Sequence, residues 1–362
     1  MVDKKVTEEI VKLAQKLITF RTTADRPDEI RQCVRFIKDY FADSTIIIRE
    51  HIHGDSPSLH LTFNRRKKQS LILNGHLDVV EGTDSQFIPK RIQGKLYGRG
   101  TDDMKASLAT MIVLMKNLAK KRKPPSVGLM IVSDEETGSL NGSKKLAKHG
   151  YSADFCIVGE STKFHLETKH KGSMHVKLIA YGSKSHASRP WQGTNAIEKL
   201  IRQYQSLTDA VGDIASRKKK WLLSINPTNI LAEGPYNVTP SKAEMVLDIR
   251  TTEDMTNQKV LALLKKLKIK YKIILNAPMM YNEKKNNTTR YLKKLVERTL
   301  GRKVKYIKSC GGTDARYFTE KGIQTVIFGP KGKNLHKNNE YIEINSLGLQ
   351  YKILEKFIEE KI

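Results

Sequence analysis

Two histidines and several carboxylates in this sequence stand at the ends of short apolar segments, where side chains from distant stretches of a chain can meet. In residues 71–78 an apolar run stops at Gly75 and presents His76 and Asp78 on one face, two residues apart. His76 has the chemistry of a metal ligand, and Asp78 that of an acceptor for its other ring proton, an arrangement that fixes tautomer and basicity. Residues 97–105 form a Gly-rich turn with the acidic pair Asp102 and Asp103, followed by a helical pattern. A dinucleotide fingerprint is excluded there, because its third glycine would fall on Asp103. The pair is left to cap a helix or to hold cations. Asp134, Glu135 and Glu136 follow another apolar run directly, and such crowded like charges repel unless a cation or proton neutralises them. Glu160 ends a further buried run, and His336 sits in a Gly-rich loop. Taken singly, each segment has a structural explanation. Together they supply two imidazoles, three carboxylate ligands and a spare carboxylate, the inventory of a co-catalytic metal site with a general base.

The elements that must bring these residues together are legible as alternating patterns. Apolar positions at helical spacing predict helices over residues 4–18 and 27–41, the second opened by Pro27. Short apolar stretches predict buried strands over 70–74, 128–133 and 154–158, with a helix from about Met104 to the Lys-rich turn before Pro124. Alternation of this kind implies a mostly parallel sheet whose ligands bind beyond the carboxyl ends of the strands. From about Ser173 the pattern changes to strand, helix, two strands, helix and strand, the order of a small α+β sandwich. A polar linker at 283–289 then returns the chain to helix, strand, helix, strand. The expected architecture is α/β: a catalytic domain of residues 1–172 and 280–362, with residues 173–279 inserted as a second domain.

Composition narrows the function classes. The 362 residues suffice for two domains, and no apolar run approaches the roughly 20 residues that span a bilayer. The N-terminus carries no signal-peptide pattern, and Cys33, Cys156 and Cys310 have no framework spacing, so a cytoplasmic protein is expected. The net charge of +27 invites an acidic or nucleic-acid partner, but its bases are scattered in groups such as Arg65 to Lys68, Lys120 to Lys123 and Lys218 to Lys220. With 7% aromatic residues and no stacking motif, a solvated basic surface is favoured over a nucleic-acid-binding protein.

The ordered segments GHLDVV, GRGTDDMKAS, SDEETG, VGES, SKSHASRPWQGTNAI, GPYNVTPSKAEMVLDIR, GGTDARYF and GPKGKNLHKNNE resemble signatures of the co-catalytic di-zinc exopeptidase and deacylase family. That family includes succinyl-diaminopimelate desuccinylase, acetylornithine deacetylase, aminoacylase and glutamate carboxypeptidase. The resemblance implies a zinc-peptidase-like catalytic domain with a lid that dimerises. It implies two divalent ions, zinc ahead of cobalt or manganese. His76 and Glu160 would hold one, Glu136 and His336 the other, and Asp103 would bridge them. Glu135 would be the general base, and Asp78 would orient His76. His186 would serve the active site of a partner subunit, with Asn237, Arg250, Gly312 and Thr313 on the substrate. A cis peptide after Asp103 is also implied. The implied activity is hydrolysis of an N-acyl amino acid of desuccinylase or deacetylase type, the alternative being a dipeptidase or carboxypeptidase. His170 and Lys171 stand where desuccinylases carry two arginines, and they lack the planar fork that grips a carboxylate. An acidic carrier protein bearing the substrate is a further expectation from the charge.

Overall fold

A computed structural model describes residues 3–212, 221–282 and 286–362. Lys218 to Lys220 and the linker residues 283–285 lie outside the described residues. The chain divides into two compact units: residues 1–169, 281–308 and 313–362, and residues 170–280 with 309–312.

The first unit is built on a nine-stranded sheet. Its order is Ile47–His53, Ser56–Thr62, Val127–Val132, Lys68–His76, Ser152–Val158, Gln324–Ile327, Leu166–His170 and Met280–Tyr281, with Tyr306–Ser309 also pairing Leu166–His170. The four strands at its centre run parallel, and antiparallel pairs flank them. Both faces of the central strands are buried, which is why they read as continuous apolar runs rather than alternating ones.

The predicted N-terminal helices are Lys4–Thr19, capped by the Asp3 carboxylate, and Pro27–Tyr40, with proline in its first turn. Helix Lys105–Leu118 is buried over nearly its whole length, so its sequence is apolar all round instead of striped. It packs with the N-terminal helix and with Ile344–Lys361 in one core. This last helix was not anticipated from the sequence, nor was a small sheet ordered Gly332–Lys333, Tyr341–Glu343, Lys95–Tyr97 and Lys90–Ile92. In it Tyr341 pairs with Tyr97, joining the two loops that carry Asp103 and His336.

The second unit is a four-stranded antiparallel sheet ordered Ser224–Leu231, Lys242–Thr251, Gly172–Tyr181 and Tyr271–Ala277. Met174, Val176 and Leu178 alternate inward with Ala243, Met245 and Leu247, against Leu200 and Leu207 of helix Ala196–Val211 and Leu264 of helix Asn257–Lys266. The opposite face carries ion pairs, among them Lys177 with Glu244.

Candidate active site

His76 is the last residue of strand Lys68–His76, and Glu160 lies just past strand Ser152–Val158, its parallel neighbour. The Gly159 N–H donates to the Asn74 carbonyl, which holds the two strand exits together. Asp103 lies between the small sheet and the buried helix, after Gly100, whose φ of 81° is one that L side chains rarely adopt. The Asp103–Met104 peptide bond is cis, as the resemblance implies.

The two oxygens of Asp103 divide the histidines between them. His76 Nε2 lies 3.0 Å from Oδ1 and 3.3 Å from Glu160 Oε1. His336 Nε2 lies 2.9 Å from Oδ2 and 3.4 Å from Glu136 Oε1. Two groups with metal-ligand spacing result, His76, Asp103 and Glu160, and Asp103, Glu136 and His336, sharing one carboxylate. Glu135 lies within electrostatic reach of His76, Glu160 and Asp103. Asp134, the first of the three consecutive acids, does not join them: its carboxylate accepts the Asn141 and Gly142 N–H groups and braces its own loop.

Around His76, Asp78 differs in detail from the expectation. Nδ1 meets the Asp78 main-chain carbonyl at 2.9 Å and the carboxylate Oδ1 at 3.5 Å. Asp78 Oδ2 accepts the Glu136 N–H at 2.9 Å.

Charge at the centre is out of balance. Burial pushes Glu160 up to about 7, with the Asp103 charge adding to it, and burial lifts Glu135 well above the usual carboxylate range. Burial works on Asp103 in the same sense, but hydrogen bonds from His336 and His76 outweigh it and hold this carboxyl well below that range. His336 is pushed up to about 10 by its bond to Asp103 and by the Glu136 carboxylate 3.4 Å from its ring. Imidazole nitrogens and carboxylate oxygens together form a donor set suited to divalent metal ions, and Glu136 Oε1 is buried with no hydrogen-bond partner. These residues fit a pair of divalent cations, which would offset the charge of Asp103, Glu135, Glu136 and Glu160.

The other predicted site residues, Thr313 apart, lie in the second unit. His186 is exposed, pairs across an isolated bridge with Val238 and has Nδ1 2.7 Å from Ser188 Oγ. Asn237 adjoins it, its carbonyl accepting the Ala187 N–H. Arg250 is already engaged: Nε and Nη2 donate to Asp248 Oδ1 and Oδ2 at 2.7 and 2.9 Å. Lys171 Nζ donates to the Leu222 carbonyl at 2.5 Å. Gly312 clusters with this unit, and Thr313 with the first. Sequence reasoning missed Arg99 and Glu340, which form a buried ion pair behind Asp103. Both lie in segments singled out by motif, but nothing in their spacing links them.

Residues 72–360 match the model of peptidase family M20/M25/M40. The chain is 30% identical over 307 residues to a succinyl-diaminopimelate desuccinylase of Wigglesworthia glossinidia brevipalpis, covering 77% of this chain and 80% of that protein. It is 28% identical to the enzyme of the same name from Buchnera aphidicola, covering 81% and 85%. Among solved structures, aminopeptidase PepT of Bacillus cereus superposes with a TM-score of 0.77 at 20% identity, covering 98% of each chain. An M20 family metallo-carboxypeptidase of Sulfolobus solfataricus does so with a TM-score of 0.78 at 18% identity, covering 97% of this chain and 98% of that one. The structural likenesses are of fold; the family match spans most of the sequence. The chain therefore belongs to peptidase family M20/M25/M40, as a metal-dependent hydrolase of amide bonds.

Proposed function

We propose that this protein hydrolyses the amide bond of an N-acyl amino acid in the cytoplasm, using two divalent cations, zinc ahead of cobalt or manganese. The observation that carries this is the pair of donor triads sharing Asp103. His76 and Glu160 would hold one ion, Glu136 and His336 the other, and Asp103 would serve both. When bound, such ions supply Lewis acidity that polarises the scissile carbonyl and acidifies the attacking water. A Glu135 carboxylate oxygen takes the proton of that water and returns it to the departing amine. Asp78 orients His76. Arg250 grips the substrate carboxylate, and Asn237, Gly312 and Thr313 bind the substrate and groups near it. His186 serves the oxyanion in the active site of a partner subunit, which makes the inserted unit, residues 173–279 in the sequence reading, a dimerising lid.

The desuccinylase relatives favour an N-acyl substrate over a peptide. The test is hydrolysis by the metal-loaded chain of N-succinyl-diaminopimelate, N-acetylornithine and simple dipeptides. An acylated amino acid should be preferred by about tenfold or more in kcat/KM. Cleavage of dipeptides alone would replace this reading with a dipeptidase, and no cleavage of any would overturn it. The charge of +27 also suits a substrate borne on an acidic carrier protein, which would show as steep inhibition of its hydrolysis by salt.

A further inference from the structure

Arg99 and Glu340 stand 241 residues apart in sequence and meet in the interior, Nη1 to Oε2 at 2.6 Å, with side chains 3% and 0% exposed. Burying two charges is costly, and replacing such a pair with apolar groups is often neutral or stabilising, so the pair is a poor device for stability alone. Its remaining bonds are directed at the candidate metal centre. Glu340 Oε1 accepts the main-chain N–H groups of Asp102 at 2.8 Å and Asp103 at 3.3 Å. Arg99 Nη2 donates to the main-chain carbonyls of Glu81 at 3.1 Å and His336 at 3.4 Å. One ion pair thus grips the backbone of Asp103 from one side and of His336 from the other.

The two triads differ in how much they need such a grip. His76 and Glu160 leave adjacent parallel strands, and the core sheet fixes their separation. His336 has no such support: it is exposed, on a loop, with φ at 61°, a conformation uncommon for a residue other than glycine. The small sheet pairs only the ends of that loop, so side-chain bonds to it, from Arg99 to the His336 carbonyl and from Gln86 to that of Lys337, help hold its imidazole at 2.9 Å from Asp103 Oδ2.

Resting on the two-ion reading above, we propose that Arg99 and Glu340 are positioning residues that set the spacing of Asp103 and His336, and with it chiefly the affinity of the Asp103, Glu136 and His336 site. The His76, Asp103 and Glu160 site, two of whose ligands stand at the exits of neighbouring core strands, feels only the Glu340 grip on Asp103 and changes far less.

The experiment is calorimetric titration of zinc into the metal-free full-length chain, wild type against the double variant Arg99→Met with Glu340→Leu, which removes both charges together. The wild type takes up two equivalents. In the double variant one is retained within about threefold of its original affinity and the other weakens by about 10- to 100-fold, the usual cost of losing a partner behind a ligand. Glu340→Gln, which keeps an oxygen facing the Asp103 N–H, falls between the two. Circular dichroism and thermal unfolding of the metal-free proteins accompany each titration. If the double variant fails to fold, Arg99→Lys replaces it, since it keeps the charge and loses the fork that reaches His336. Two equally tight equivalents in a folded variant overturn the inference alone, as does equal weakening of both. A wild-type chain that binds fewer than two equivalents overturns the two-ion reading and this inference with it.

Discussion

Asp78 accepts the main-chain N–H of Glu136 through Oδ2 at 2.9 Å. The same carboxylate faces the His76 ring through Oδ1, so one buried acid touches a ligand from each triad. Strand Lys68–His76 runs directly into it, and the acidic loop after strand Val127–Val132 is thereby tied to that strand.

Asp78→Ala should therefore weaken both ions, each by about 10- to 100-fold, where removal of an acid that served His76 only would weaken one. Zinc titration of the metal-free variant reads this directly. Loss confined to a single equivalent would show that the contact with Glu136 carries no weight.

Glu135 and Glu136 are neighbours with separable roles. Glu135→Gln should reduce turnover to below about 1% while both metal equivalents remain, because the amide keeps its shape but cannot take a proton. Glu136→Gln should cost one equivalent. Elemental analysis after dialysis, beside the rate, checks both; metal loss from Glu135→Gln would exchange the two assignments.

If His186 acts on the partner subunit's site, two inactive variants should repair each other. His186→Ala mixed with Glu135→Gln, after subunit exchange, should regain up to about a quarter of wild-type activity, since one hybrid site in four types retains both residues. Persistent inactivity after proven exchange refutes a shared site.

His60 makes stability depend on acid. It is fully buried on strand Ser56–Thr62 with neither ring nitrogen hydrogen-bonded, and burial, with the charges of Arg49 and His51, pushes it down to about 3. A depressed histidine favours the folded state fully above its unfolded value, near 6.5, and that contribution is lost as pH falls from there toward 3. Between pH 7 and 5 the loss is about 2 kcal/mol for this one group. Denaturant unfolding at the two pH values should show it, and His60→Leu should lose about 2 kcal/mol less over that interval than wild type. Parallel curves for the two proteins would contradict the assignment.

Much of the centre was legible because His76 and Glu160 follow apolar runs, and the α+β character of the second unit followed from its order of strand, helix, two strands, helix and strand. What escaped has physical reasons. Strands of two or three residues, such as Gly332–Lys333 and Tyr341–Glu343, are too short to show a period. The pairing of Arg99 with Glu340 is a tertiary fact with no local signal, whereas Asp248 and Arg250, two residues apart, share one face of strand Lys242–Thr251. Asp134 looked equivalent to its two acidic neighbours, and only the turn of its loop toward Asn141 separates it from them.

The placement of the ligands along the chain has a consequence for biosynthesis. His76, Asp103 and Glu160 have all been made once residue 160 leaves the ribosome, whereas His336 follows much later. At roughly 5–20 residues per second, the nascent chain carries the donors of the first site for about ten seconds or longer before those of the second are complete. In the proposed mechanism an ion captured in that interval would meet donors that can bind but cannot hydrolyse, so activity would wait for the loop that carries His336.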